Sequence, residues 1–169
     1  DMVAAVYQKA IDNPYTDHTG KKRPKFVNLD MEEYKDTELT LEVFLEVMSR
    51  PEFKNYMAGL VIQAYLPDAS NLQKRLLDFA KERYAAGGVP IKMRLVKGAN
   101  LQMESVISSL KGWPNPVYPS KVEVDANYMH ILDVALQPEN IKACHVGVAS
   151  HNYFSIAYAH VLAEKNNVT

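Results

Sequence analysis

The sequence predicts an α/β fold built on a parallel sheet, and two patterns indicate it. Short apolar runs of strand length recur four times, at residues 26–30, 59–65, 91–97 and 142–149. Helical apolar patterns separate these runs, and no hairpin signal joins one run to the next. Such alternation is typical of parallel sheets with right-handed crossovers. An open doubly wound sheet and a (β/α)8 barrel both satisfy the pattern, although no G-x-G-x-x-G follows the first strand to favour a dinucleotide-binding sheet.

Helical periodicity opens the chain and returns after each apolar run. The predicted helices cover residues 3–11, 40–48, 71–84, 101–110, 121–136 and 154–164. Asn13 and Pro14 end the first helix, and the polar, basic stretch 12–25 is predicted to be a loop. Three prolines within 111–119 predict a rigid loop, and Pro138 ends the fifth helix.

Composition limits the possible functions. The chain has 169 residues, a net charge of −1 and 47% apolar residues, so it can form one domain and shows no bias towards nucleic acid or anionic membranes. It has no apolar run of about 18 residues that would suggest a membrane span. The single cysteine, Cys144, lies in an apolar run and is expected to be a buried thiol in a reducing compartment. The expected location is the cytoplasm, including peripheral attachment at the inner face of the membrane.

The run 91–97 places charged residues among apolar ones, and Gly98 ends it. Ligands gather at the carboxyl ends of parallel strands, so Arg94 and Lys97 are candidates for an anion-recognising pair. A solvated cationic edge strand would give the same pattern, and the spacing does not separate the two interpretations.

Polar residues recur at or near the carboxyl end of every predicted strand. They are Asp30, Gln63, Arg94, Lys97, His151 and Asn152. In a parallel sheet these ends converge, so the side chains are expected to share one site. Metal-ligand spacing, a Gly-rich phosphate loop and a G-x-S-x-G elbow are all missing from the sequence. The residue types allow carboxylate-assisted hydrolysis, a Schiff-base lysine at Lys97, or a bound cofactor whose electronics the cations tune.

Five segments carry a family resemblance. They are FVNLDMEEY at 26–34, VIQAYLPD at 61–68, RLVKGAN at 94–100, YPSKVEVDANY at 118–128 and VASHN at 148–152. In order and spacing they resemble the proline dehydrogenase domain of proline utilization A proteins, over most of residues 26–158. The resemblance implies a distorted (β/α)8 barrel that binds FAD and oxidises L-proline to Δ1-pyrroline-5-carboxylate. A quinone would receive the electrons.

The resemblance also assigns roles to residues. Asp30 matches the family's active-site aspartate, and Arg94 matches the active-site arginine beside the flavin N5. The positions that match FAD contacts are Met31, Gln63, Val96, Lys97, Gly98, His151 and Asn152. A guanidinium beside a flavin stabilises the negative charge that reduction brings. The Gln63 amide can satisfy both donor and acceptor edges of the ring.

Three features depart from the family. Asn100 stands where many members have a tyrosine that packs on the substrate ring. The sequence has no match to the Arg-Arg pair that binds the proline carboxylate, nor to the lysine of the first barrel strand. A full barrel usually needs about 250 residues, and four strands are predicted here. The chain, residues 1–169, is therefore expected to be a central segment of the barrel domain of a bifunctional protein, truncated at both ends.

Two other functions stay open at this point. The chain could belong to a (β/α)8 lyase or aldolase that uses Lys97 as its Schiff-base amine. It could also be a non-catalytic fragment that forms a homo-oligomer, because part of a barrel leaves strand edges unpaired. The expected partners are L-proline and a quinone, with no nucleic acid.

Overall fold

A four-stranded parallel sheet forms the centre of the computed structural model, which describes residues 1–168. The strands of the chain are β1 (Tyr15–Thr16), β2 (Lys22–Arg23), β3 (Val27–Leu29), β4 (Ala58–Gln63), β5 (Ile91–Val96) and β6 (Cys144–Val148). The central sheet has the order β3-β4-β5-β6, and all its neighbours are parallel. The predicted parallel sheet is confirmed, and each of its strands is slightly shorter than its apolar run.

Within residues 1–168, seven α-helices surround or flank this sheet. They are α1 (Met2–Asp12), α2 (Thr37–Ser49), α3 (Ala69–Ala85), α4 (Leu101–Lys111), α5 (Lys121–Ala135), α6 (Pro138–Ile141) and α7 (Tyr153–Lys165). Short 3-10 turns at Tyr34–Asp36 and Pro51–Phe53 stand on either side of α2. Ser120 caps α5 by accepting from the Glu123 N–H, and its hydroxyl also bonds the Glu123 carboxylate at 2.6 Å. Local sequence thus fixes where this helix begins.

The stretch 12–25 forms a hairpin rather than the predicted loop. Strands β1 and β2 pair antiparallel, with Tyr15 opposite Arg23. The turn is organised by the Asp17 carboxylate, which accepts from the Thr19 N–H at 2.8 Å and hydroxyl at 2.6 Å and pairs with Arg23. These bonds hold the pKa of Asp17 well below its usual range, with the Thr19 hydroxyl the largest cause. All four strand residues are exposed, so no apolar alternation marks the hairpin in the sequence.

Pro138 does more than end a helix. It is the first residue of the short helix α6, where a proline is tolerated because its missing N–H needs no helical partner. The last strand therefore starts at Cys144 rather than near residue 142.

The two faces of the central sheet differ in exposure. On β5, Ile91, Met93 and Leu95 are fully buried, whereas Arg94 is exposed. Residues paired across parallel strands point to the same side, so Val61 and Gly147 share the face of Arg94. Helices α2, α3 and α5 pack against the sheet. On β5 the core thus lies on one face and charged residues mark the other, whereas all six residues of β4 are buried.

No helix within residues 1–168 has the length and apolar character needed to cross a membrane.

Candidate functional site

A cavity of about 840 Å³ opens at the carboxyl ends of the central strands. All nine residues assigned a role from the sequence line it: Asp30, Met31, Gln63, Arg94, Val96, Lys97, Gly98, His151 and Asn152. Convergence of strand ends brings them together, as a parallel sheet requires. A second cavity of about 710 Å³ lies beside Trp113 and Tyr34 and contains none of them. We therefore take the first cavity as the candidate site.

Arg94 and Asp30 face each other in the cavity without a tight bond. The Nη1 of Arg94 lies 3.7 Å from the Oδ2 of Asp30, and the two side chains are 47% and 61% exposed. At that distance and exposure the pair is a weak ion pair rather than a hydrogen bond. The guanidinium therefore keeps its donors for a ligand. Gly147, opposite Arg94 on β6, has no side chain, and a Cβ there would lie 3.3 Å from the Lys92 side chain.

Gln63 ends β4 with half of its amide unused. Its Nε2 donates to the Met31 carbonyl at 2.9 Å. Its Oε1 is buried and has no hydrogen-bond partner among residues 1–168. Buried acceptors are seldom left without a donor. A ligand with an N–H donor, such as the flavin ring, would supply one, so the residue fits the expected cofactor.

Lys97 is held by a residue that the sequence did not single out. Its Nζ lies 2.5 Å from Asp125 Oδ1 on α5 and 5.5 Å from the centroid of the Tyr128 ring. Lys121, which also lines the cavity, bonds the other oxygen of Asp125 at 2.5 Å. The bonds from Lys121 and Lys97 lower the pKa of Asp125. Asp125 is thus a carboxylate at neutral pH that faces the ammonium group of Lys97.

Gly98 makes the turn out of β5 possible. Its φ is +124°, and a Cβ at this position would lie 2.1 Å from Cδ1 of the Tyr65 ring. The Tyr65 N–H donates to the Lys97 carbonyl at 2.7 Å, which holds the turn against the end of β4. The Tyr65 hydroxyl is buried without a partner within residues 1–168, and this burial raises the pKa of Tyr65 to about 12.

The segment after β6 forms the opposite wall. Asn152 caps α7, because its Oδ1 accepts from the N–H groups of Phe154 at 2.9 Å and Ser155 at 3.3 Å. The Ser150 hydroxyl accepts from the Asn152 N–H at 3.0 Å. His151, between them, is exposed. The side-chain oxygen of Asn152 is thus used by the helix, which leaves the side-chain N–H groups for a ligand.

Three further residues complete the lining. Met31 is buried, and its N–H donates to its neighbour Asp30 Oδ1 at 3.0 Å. Val96 is half-buried and accepts through its carbonyl from the Ala64 N–H at 2.9 Å. Asn100, at the expected aromatic position, donates to the Glu32 carbonyl at 3.0 Å. Among residues 1–168 no three His, Cys, Asp or Glu side chains are grouped so as to hold a metal ion.

The fold and the cavity first define a class: a β/α protein with a parallel sheet that would bind a ligand at the carboxyl ends of its strands. A family model for proline dehydrogenase matches residues 4–169, and the chain belongs to that family. This confirms the resemblance drawn from the five sequence segments. Among curated proteins no match is found.

Solved structures of proline utilization A are similar to the chain. That from Corynebacterium freiburgense shares 46% identity at a TM-score of 0.88, over 96% of this chain and 16% of that one. The structure from Bdellovibrio bacteriovorus, inactivated by N-propargylglycine, shares 47% sequence identity at a TM-score of 0.80. This match covers 86% of this chain and 15% of that one. A third structure, with proline bound in remote sites, shares 28% sequence identity at a TM-score of 0.72. It matches over 81% of this chain and 14% of that one. The chain thus spans about one sixth of the length of the first of these relatives, and its β/α units form part of a (β/α)8 barrel, as predicted.

Proposed function

We propose that the protein acts as an FAD-dependent proline dehydrogenase. It would oxidise L-proline to Δ1-pyrroline-5-carboxylate and pass the electrons to a quinone. The observation that carries the proposal is the convergence of nine residues with assigned roles in one cavity, within a chain of the proline dehydrogenase family. FAD, when bound, supplies the redox chemistry that amino-acid side chains lack.

The residues of the chain would bind and tune this cofactor. Arg94 offers a guanidinium that is only weakly paired, and a cation of this kind stabilises negative charge that develops on a bound group. Gln63 offers a buried acceptor beside a donor that is already used. Gly98 lets the chain pass close to the ligand, since it carries no side chain.

The substrate assignment rests on relatives. One of the similar structures is described with proline bound in remote sites, and another as inactivated by N-propargylglycine. The sequence of 169 residues has no Arg-Arg pair for the substrate carboxylate. A free carboxylate in a closed site needs a cationic partner, and a bidentate arginine is the usual one. We therefore expect that residues 1–169 alone do not oxidise proline.

The lyase alternative is disfavoured by the surroundings of Lys97. A Schiff-base lysine has to attack as a neutral amine. In this structure the Lys97 Nζ is instead engaged as a hydrogen-bond donor to the Asp125 carboxylate at 2.5 Å. Self-association stays a prediction, since β3 and β6 each have one edge without a strand neighbour among residues 1–168.

The test is Arg94→Met in the intact protein. We expect the rate of flavin reduction by L-proline to fall by more than about 10-fold, the scale of losing one electrostatic stabiliser. Stopped-flow absorbance in the flavin bands measures it. Arg75→Met is the matched control, because Arg75 pairs on the surface with Glu38 and Glu42, away from the cavity. Unchanged reduction kinetics in the Arg94 variant would remove this residue from the mechanism.

A further inference from the structure

Two ammonium groups on the cavity wall share one carboxylate. Lys97 comes from the end of β5, and Lys121 comes from the first turn of α5. Each bonds a different oxygen of Asp125 at 2.5 Å. The three groups together leave one net positive charge at the wall. Both lysines line the cavity, whereas Asp125 stands behind them on the helix.

The two lysines differ in how firmly they are held. The Lys97 side chain is 24% exposed, and the Lys121 side chain is 76% exposed. Lys97 also lies against the face of Tyr128, a ring that is fully buried and cannot shift easily. A cation over an aromatic face gains a further electrostatic attraction. Asp125 and Tyr128 therefore fix the direction of the Lys97 ammonium, while Lys121 remains a solvated partner.

We propose that Asp125 is a positioning residue that holds the Lys97 ammonium in place for an anionic or hydrogen-bond-accepting part of the bound cofactor. The inference rests on the proposed function, because it concerns the same cavity. An ammonium has three donors. Asp125 takes one of them and fixes the direction of the others. Without Asp125 the four-carbon side chain would have to be ordered by the ligand itself, at the expense of affinity.

Charge and position predict opposite results for Asp125→Asn. Removing a carboxylate makes the wall more positive, which by charge alone would strengthen the binding of an anionic cofactor. Releasing Lys97 would weaken it. We expect weakening by about 10-fold in the dissociation constant of FAD, the scale of one hydrogen bond to a charged group. Quenching of flavin fluorescence on titration into the FAD-free protein measures it.

A matched control exists on α3. Asp78 also bridges two lysines there, Lys74 at 2.7 Å and Lys81 at 3.3 Å, and Lys74 precedes it by the same helical spacing as Lys121 precedes Asp125. The two surface lysines keep the pKa of Asp78 low, as for Asp125. Asp78→Asn should leave FAD affinity unchanged, because this cluster does not line the cavity.

Three further experiments separate the possible outcomes. Asp125→Glu should recover part of the affinity. Asp125→Asn should have no added effect in a Lys97→Met background, because the carboxylate acts through that lysine. In the FAD-free protein, labelling of Lys97 by an amine reagent, read by peptide mass spectrometry, should rise in the Asp125→Asn variant and not in Asp78→Asn.

The results distinguish this inference from the proposed function. Unchanged or stronger FAD binding by Asp125→Asn, with normal binding by the unaltered protein, would overturn the positioning role alone. A protein that binds no FAD in its unaltered form would overturn the proposed function, and the Lys97 labelling would then still report whether Asp125 holds the lysine. The positioning role would also be overturned if Asp125→Asn weakens FAD binding by the same factor in the unaltered protein and in the Lys97→Met background.

Discussion

Arginine side chains at the two ends of the central sheet differ in how many hydrogen bonds they make within the chain. At the amino end, the Arg83 guanidinium from α3 lies within hydrogen-bonding distance of five backbone carbonyls. The acceptors are Met48 at 2.6 Å, Phe53 at 2.5 Å, Lys54 at 2.8 Å, Tyr56 at 3.2 Å and Val89 at 3.2 Å. At the carboxyl end, the one ion pair of Arg94 within residues 1–168 is a loose contact with Asp30 at 3.7 Å.

The difference teaches how to tell a structural cation from a functional one. Burial lowers the pKa of Arg83, so its charge is costly, and the carbonyls around it offset that cost. Arg83 thereby links the chain segments that carry these five carbonyls. Arg94 and Gln63 instead keep bonding groups unused. The Arg83 guanidinium, whose donors all meet backbone carbonyls, holds the fold, whereas Arg94 and Gln63 line the cavity and keep groups available to a ligand.

The largest loss of stability is expected for a substitution at Gly98, a residue without a side chain at the carboxyl end of the sheet. Gly98→Ala should lower the free energy of unfolding by about 4 kcal/mol, the sum of backbone strain at φ +124° and the overlap with the Tyr65 ring. Gly112→Ala is the control, since its φ is +63° and nothing lies within 4 Å of a Cβ there. The control should lose about 1 kcal/mol. Denaturant unfolding compares them, and equal losses would argue against the overlap.

The second-largest loss of stability is expected at the amino end of the sheet, on substitution of Arg83. Arg83→Met should lower the free energy of unfolding by about 3 kcal/mol, because buried carbonyls lose a charged donor. FAD affinity should not change. Arg75→Met, which breaks only exposed ion pairs with Glu38 and Glu42, should lose less than about 1 kcal/mol. If Arg83→Met weakens FAD binding while the protein stays folded, the division between the two ends is wrong.

The smallest effect on stability is expected at Gln63. Gln63→Met removes one donor bond to Met31 and the unpartnered oxygen, so the FAD-free protein should change by less than about 1 kcal/mol. Its FAD affinity should fall by about 10-fold. Gln73→Met is matched, since Gln73 is buried and its Nε2 donates to the Ile131 carbonyl at 2.8 Å outside the cavity. A loss of FAD affinity in the control would contradict the comparison.

The sequence was sufficient to predict the central sheet, because apolar runs of strand length alternate with helical periodicity and no hairpin signal joins the runs, a combination typical of parallel sheets. The hairpin at 15–23 escaped prediction, since its strands are short and exposed and its turn depends on side-chain bonds to Asp17. Helix α6 escaped it because a proline that ends one helix can also begin the next.

The site was predictable where it follows from topology. Carboxyl ends of parallel strands converge wherever the sheet forms, so Asp30, Gln63 and Arg94 meet in one cavity. Asp125 and Lys121 could not be found in this way, because they lie on a helix and their contact with Lys97 depends on how α5 packs. The one local signal was the spacing of Lys121 and Asp125, which places both on one helical face.

The order of strands in the sheet has a consequence for how the chain folds. Each of β4, β5 and β6 pairs with the strand that precedes it in the chain. No pairing in this sheet has to wait for a distant segment to arrive, so strands can dock one at a time as synthesis proceeds from the amino end. Each closure spans one crossover, and the longest, from β5 to β6, contains α4, α5 and α6. Because the entropic penalty grows only slowly with loop length, this step costs little more than the others. In a growing chain of this design, the cavity wall after β6 would join the walls after β4 and β5 once that segment emerges.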